Sequence, residues 1–393
     1  MLIGIVGKPN VGKSTFFKAL TLSDVLIANY PFATIEPNKG FAYVKLKCVD
    51  YEFGVQCNPR YGYCINHWRF VPVEVIDVAG LVPGASEGKG LGNKFLDDLR
   101  QADALIHVVD ISGSTNANGE PVEPGTYDPL NDIKFLEDEI DLWIFGNVKK
   151  NWDKFVRLTK AQHKKLEDAF YEQLSGLAIK MQYIEETLKE FPEQIEKWND
   201  EILFNFLRKL RRKAKPIVIA ANKIDLPSAK ENLERLKNAY PNLVVIPISA
   251  EAELALKEAN KHGVIIYIPG ENDFKIINAN EQQRKALELI KEKVLKPYGS
   301  TGVQKVIDSV VFDVLKYVAV FPGGVNKLAD SEGRILPDCF LMPPNSTALD
   351  FAARIHNDLA KNFIKAIDVR TKKPLGKDYV LKHRDVIEIV AKK

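Results

Sequence analysis

Residues 7–14 read Gly-Lys-Pro-Asn-Val-Gly-Lys-Ser, directly behind an apolar run at 2–6 and ahead of Phe16, Phe17, Ala19 and Leu20 at helical spacing. No other feature narrows the fold so far. Glycines in a strand-to-helix turn let backbone N–H groups face inward around an anion, and the helix amino end adds about half a positive charge there. A cation in the first helical turn opposes the dipole, so Lys13 is unfavourably placed until a phosphate binds. Strand, glycine loop and helix in this order form a phosphate-binding P-loop: Lys13 reaches the outer phosphates and Ser14 offers its hydroxyl to Mg²⁺. Gly7, Lys8, Pro9, Asn10, Val11, Gly12 and Thr15 complete the grip.

Further apolar runs at 73–76, 104–109, 217–221 and 243–248 are each followed by turn residues or helical periodicity, as buried parallel strands are. The chain is therefore expected to be α/β, a P-loop NTPase parallel sheet with helices on both faces and ligands beyond the carboxyl ends of the strands. Two of those ends carry chemistry. Asp77-Val78-Ala79-Gly80 puts a carboxylate where it suits a water-mediated contact to Mg²⁺, and the Gly80 N–H where it suits a γ-phosphate. Thr34, in the loop 30–35, is the candidate switch hydroxyl for the same metal, so Lys13, Thr34 and Gly80 are the expected catalytic groups. Asn222-Lys223-Ile224-Asp225 ends the run at 217–221. Guanine presents N1–H and an exocyclic amino group that one carboxylate can accept together, and adenine does not. Asp225 then selects the base, Asn222 braces the neighbouring loops, the Lys223 stem covers the base plane, and Ser249-Ala250 supplies a backbone N–H to guanine O6. GTP, with GDP as product, is the expected nucleotide.

Between 128 and 215 the strand signal gives way to a helical one. Leu166, Phe170, Leu174, Leu177, Met181, Ile184 and Leu188 line up one stripe, which predicts a long helix ended by Pro192 and coiled-coil-like packing. After about 300, prolines and glycines break short strand-like runs at 316–321, 367–370 and 386–390, with helical spacing over 349–363. The expected order is a nucleotide domain in two parts, 1–127 and 216–300, a helical insertion at 128–215, and a small domain at 301–393. With 46% apolar and 27% charged residues and a net charge of +3, bulk electrostatics gives no case for nucleic acid, and no DNA partner is expected. Four cysteines are no disulfide scaffold, residues 1–30 contain no leader-like pattern, and no apolar run approaches the roughly 20 residues of a membrane span. A cytoplasmic protein without a membrane partner is expected.

With these motifs in hand, the chain is identified as resembling translation-factor-class GTPases of the Obg family, closest to the archaeal and eukaryotic members of the YchF-like branch. The loop GKPNVGKS and the run DVAGLVPGASEGKGLG with NKFLDDLRQADALIHVVD behind it carry the match. LPDCFLMPPNSTALDFAARIHNDL with YVLKHRDVIEIV looks like a TGS domain, a β-grasp module. The resemblance spans nearly the whole chain and is weakest over the insertion and at 41–70. It implies a GTP-dependent switch that works with ribosome or RNA. YchF proteins proper have an altered base-reading motif and accept ATP, whereas Asn222 to Asp225 is intact here. Leu81 stands where related switches carry a water-orienting glutamine, which implies slow unassisted hydrolysis, and Asn10 resembles the asparagine that holds K⁺ in several relatives.

Two clusters admit two readings. Cys48, Cys57, Cys64 and His67 would make a tetrahedral zinc set, or are packed thiols. Arg208, Lys209, Arg211, Arg212, Lys213 and Lys215 either complement a helix carboxyl end or touch RNA. His107 reads as a core histidine, and Asp110 as a support for the cleft or a turn carboxylate. The functional alternatives are an ATP-preferring P-loop hydrolase, an ATP-dependent small-molecule enzyme, and an RNA-binding scaffold with structural nucleotide.

Overall fold

In the computed structural model, residues 1–22, 38–78, 98 and 100–392 are described. Packing divides them into two compact units: 1–19, 38–40, 74–78, 98 and 100–306 form the first, and 20–22, 41–73 and 307–392 form the second.

The first unit is built on parallel strands in the order β4-β1-β5-β6-β7: β1 (Leu2–Val6), the last residues of β4 (Trp68–Asp77), β5 (Ala104–Asp110), β6 (Ile217–Asn222) and β7 (Val244–Pro247). The expected runs became these strands because each is predominantly apolar; β5 and β6 are buried at every position. Register brings the functional ends level: Ile5 lies opposite Asp77, and Asp110 opposite Asn222. Helices α1 (Lys13–Thr21), α7 (Ala229–Ala239) and α8 (Ala250–Lys261) follow β1, β6 and β7. Thr301 accepts a bond from the Ser249 amide (2.9 Å), and this unit runs on to Val306, past the expected boundary at 300.

The insertion is helical. Its two longest helices, α2 (Leu130–Lys149) and α6 (Asp200–Ala214), pack together, α2 through Ile133, Leu136, Ile140, Ile144 and Val148 at steps of three and four. The stripe at 166–188 is not one long helix. It is split into α4 (Leu166–Gln173) and α5 (Met181–Leu188), with α3 (Trp152–Ala161) before them. The break falls at 174–180, where Gly176 weakens the helix and Ala178 turns left-handed (φ 52°). Folding back lets both halves join one buried cluster, Phe170 from α4 and Ile184 from α5, in which the rings of Trp152, Phe155, Phe170, Trp198 and Phe206 pack with centroids about 4.6–6.2 Å apart.

The second unit holds most of β2 (Lys39–Lys47), the antiparallel pairing of β3 (Tyr63–Ile65) with the start of β4, and a five-stranded sheet. That sheet orders β8 (Val318–Pro322), β9 (Phe340–Met342), β10 (Phe363–Asp368), β11 (Pro374–Leu375) and β12 (Asp385–Ala391) as β9-β8-β12-β10-β11. Helix Ala348–Ile355 starts with a Thr347/Asp350 capping box and drives Phe351 into the sheet's core. Residues 41–73 therefore pack with the C-terminal module, a grouping that local pattern does not reveal. Among the described residues no helix is long and apolar enough to cross a membrane.

Candidate functional site

The turn after β1 opens a cleft of about 410 Å³. Gly12, Lys13, Ser14 and Thr15 line one side, and Asn222, Lys223, Asp225 and Ser249 the other. Residues more than 200 apart in sequence meet because β1 and β6 each end at this edge of the sheet, with β5 between them.

Close approach makes Gly12 obligatory. Its φ is +91°, and a Cβ there would sit 2.2 Å from Asn222 Nδ2. That amide donates to Val11 O (2.8 Å), while Asn222 Oδ1 accepts from the Ala250 N–H (3.0 Å). Asn222 thus ties the P-loop to the start of α8, the bracing role its position suggests. The Ser249 and Ala250 amides expected to face guanine O6 are both engaged, by Thr301 O and Asn222 Oδ1. Asp225 accepts from Ser249 Oγ (3.1 Å) through Oδ1, a bond that aligns the carboxylate.

Lys13 Nζ is paired with Asp77 Oδ1 and donates to Val78 O (2.9 Å). A polyphosphate is a denser anion than one carboxylate and would draw Lys13 away, freeing Asp77. Asp77 and the Ser14 hydroxyl are hard oxygen donors at the same edge, and Lys13 already shows that the carboxylate takes a cation. They fit Mg²⁺. Thr34, Gly80 and Leu81 lie outside the described residues.

Lys223 has a left-handed backbone (φ 65°), and its ammonium reaches Asp110 Oδ2 (2.8 Å) and Ser114 Oγ (3.2 Å). Asp110 is buried and also accepts from the hydroxyls of Ser112, Ser114 and Thr115. Burial alone would raise its pKa, but Lys223 and the hydroxyls hold it below the ordinary value. This network organises the base-reading loop from underneath. Sequence left Asp110 between two roles, and only the placement of Lys223 decides it.

Lys8 lines the cleft, but its ammonium is committed elsewhere. It pairs with Asp132 (2.8 Å), donates to Thr115 O (3.1 Å), and lies 3.9 Å over the Tyr127 ring. Its role is to anchor the loop to the first turn of α2, a contact no local motif announces. Burial pushes the Asp132 carboxyl up against the pull of Lys8. Burial, aided by Lys8, pushes His107 down to about 3, which makes it the neutral core histidine expected. Asn10 has φ 62° and donates through Nδ2 to Gly119 O (2.9 Å).

The basic cluster at 208–215 is matched internally. Arg211 is buried between Asp141 (2.8 Å) and Glu137 (3.3 Å), Arg212 pairs with Glu137, and Arg208 with Asp141. Lys209 and Lys213 pair with Glu190, and Lys215 donates to the carbonyls of Arg100 and Ala102. Burial lowers Lys215 to about 8. These pairs make the cluster a brace between the helix end and its neighbours.

Comparison with known proteins agrees with this geometry. Three family models match: "50S ribosome-binding GTPase" over residues 2–142, "Obg-like GTPase YGR210-like, G4 motif-containing domain" over 220–324, and "TGS domain" over 331–391. An uncharacterized GTP-binding protein of Methanocaldococcus jannaschii is 52% identical, covering 99% of each chain. The ribosome-binding ATPase YchF of Bacillus subtilis is 35% identical over 65% of this chain and 67% of its own. The crystal structure of a GTP-binding protein from Pyrococcus horikoshii superposes with a TM-score of 0.80 at 42% identity, covering 100% of both chains. With a P-loop, an intact base-reading turn and a C-terminal TGS module joined in one chain, this protein belongs to the YchF-type branch of the Obg-like GTPases.

Proposed function

We propose that the protein binds GTP in the cleft between residues 12–15 and 222–225, hydrolyses it slowly, and acts as a nucleotide-dependent switch on the ribosome or its RNA. The observation that carries the nucleotide choice is Asp225, a carboxylate anchored by Ser249 on the rim opposite the P-loop. Lys13 leaves Asp77 for the β- and γ-phosphates, so nucleotide entry is coupled to the residue that starts the second switch segment. Mg²⁺, when bound with the nucleotide, would be held by Ser14 and Asp77, with Thr34 added, and would neutralise charge on the phosphate oxygens. The Gly80 N–H is assigned to the γ-phosphate.

Leu81 cannot orient water by hydrogen bonding, so unassisted turnover is slow. Asn10 donates through Nδ2, which leaves its carbonyl oxygen for K⁺. Equal turnover in KCl and NaCl removes the potassium role. The ribosomal partner rests on the relative named a ribosome-binding ATPase and on the TGS module, and a cytoplasmic site of action goes with it. Two experiments test the whole. Labelled GTP and ATP are titrated against the protein, where ATP preference defeats the base assignment. Pull-downs with and without non-hydrolysable GTP are scored for ribosomal subunits, where no difference defeats the switch.

A further inference from the structure

Outside the nucleotide cleft, the excursion between β2 and β4 gathers a second set of reactive side chains. Cys48, Asp50, Cys57 and Cys64 each offer a donor atom, and the four atoms lie within 4.8 Å of one another. Cys48 Sγ and Cys57 Sγ are 3.6 Å apart. A disulfide needs about 2.05 Å, and none of the cysteines is bonded to another. Tetrahedral thiolates around zinc, each about 2.3 Å from the ion, stand about 3.8 Å from one another. The observed spacing is that of ligands sharing an ion.

The backbone holds these donors in place. Cys48 precedes a short turn, Val49–Phe53, that ends at left-handed Gly54, and its amide bonds His67 O (2.7 Å). Asp50 Oδ2 accepts from the Cys57 N–H (3.1 Å), and Oδ1 is bonded to His67 Nδ1 (2.9 Å). His67, the fourth ligand expected from sequence, therefore stands behind Asp50, and the carboxylate takes its place in the cluster.

An independent observation comes from Arg69. Its side chain is 1% exposed, yet among the described residues it makes no ion pair. Its partners are Leu336 O (3.1 Å), Pro337 O (2.7 Å) and Cys57 Sγ (3.5 Å), and its Nε has none. The Asp338 carboxylate acts on it only at a distance, and a buried guanidinium that no described carboxylate touches is costly. Three thiolates and a carboxylate around a divalent ion carry a net charge of about −2, which answers it.

We propose that Cys48, Cys57, Cys64 and Asp50 bind one Zn²⁺ in a closed tetrahedral site, with His67 orienting Asp50 and Arg69 balancing the charge. Zinc suits thiolate-rich tetrahedral donors, and four protein ligands leave no open position, so the site is structural. Each thiol that ligates gives up its proton to solvent. The ion clasps an excursion that also bonds the 330–337 segment of the same unit, through Asn58 N to Ile335 O (2.8 Å) and Arg60 to Asp330 (3.0 Å). The site thereby couples the 48–67 excursion to the C-terminal module.

The test uses the full-length reduced protein, stripped of metal and titrated with Zn²⁺ or Co²⁺. The expected result is about one ion per chain, with visible Co²⁺ absorption of a tetrahedral thiolate site. Cys64→Ser, at a half-buried position, and the isosteric Asp50→Asn should each change that spectrum. His67→Ala should keep the stoichiometry and weaken binding roughly 10–100-fold. Circular dichroism confirms that each variant folds. No uptake by the reduced protein, or an unaltered Co²⁺ spectrum in a folded Cys64→Ser variant, overturns the site. An unaltered spectrum in Asp50→Asn with loss of binding in His67→Ala overturns the ligand set.

Discussion

Asp225→Asn separates base reading from fold stability. Among the described residues the one hydrogen bond to this carboxylate comes from Ser249 Oγ at 3.1 Å, and an asparagine carbonyl oxygen accepts it equally well. Stability should therefore change by less than about 0.5 kcal/mol. Guanine, in contrast, loses a charged acceptor for two donors. Hydrogen bonds to charged groups are worth about 1.5–3 kcal/mol each, so the loss is about 3–6 kcal/mol, or roughly a hundredfold to ten-thousandfold in Kd. Xanthosine triphosphate carries a carbonyl where guanine has its amino group, and the new amide can donate to it. Titrations of fluorescent GTP and xanthosine triphosphate with the wild type and the variant, alongside thermal melts, read all three quantities. GTP affinity within threefold of wild type in a folded variant would falsify the assignment of Asp225 as the base reader.

Arg211→Met should destabilise the helical insertion by about 3 kcal/mol, the lower end of the range for a broken buried pair, because Arg208 still reaches Asp141. A denaturant midpoint no lower than that of Arg208→Ala would contradict this. Gly12→Ala should abolish nucleotide binding, since its Cβ would stand 2.2 Å from Asn222 Nδ2 at a φ of +91°; retained affinity would mean that the loop relaxes freely. His107 titrates at about 3 when folded and near 6.5 when unfolded, so between these values the unfolded chain binds the extra proton and stability falls as pH drops. At pH 5 this costs about 2 kcal/mol. His107→Phe, which has room beside a cavity of about 320 Å³, should remove up to one proton from the pH dependence of the urea midpoint; an unchanged slope would refute the buried neutral state.

The elements that sequence foretold share one property: their signal is local. The runs at 2–6, 104–109 and 217–221 are strands at nearly those bounds because a strand buried on both faces is apolar at nearly every position. The stripe from Leu166 to Leu188 misled because apolar spacing records which side chains are buried and not whether the axis between them stays straight; Gly176 and Ala178 turn it back. The pairing of 41–73 with the C-terminal module left no periodic trace. Asp50 could not be singled out among 52 acidic residues, whereas three nearby cysteines could.

What sequence determined alone was chemistry carried by contiguous residues: a glycine loop that bares its amides, and a turn that ends in a base-reading carboxylate. What tertiary structure decided was every relation between distant groups. Asn222 joins two loops, Lys223 is answered by Asp110, Lys8 faces α2, the basic cluster is braced by internal ion pairs, and Asp50 displaces His67 beside the thiols. Hydrogen bonds and ion pairs act over a few ångströms, and only the folded chain sets which side chains come that close.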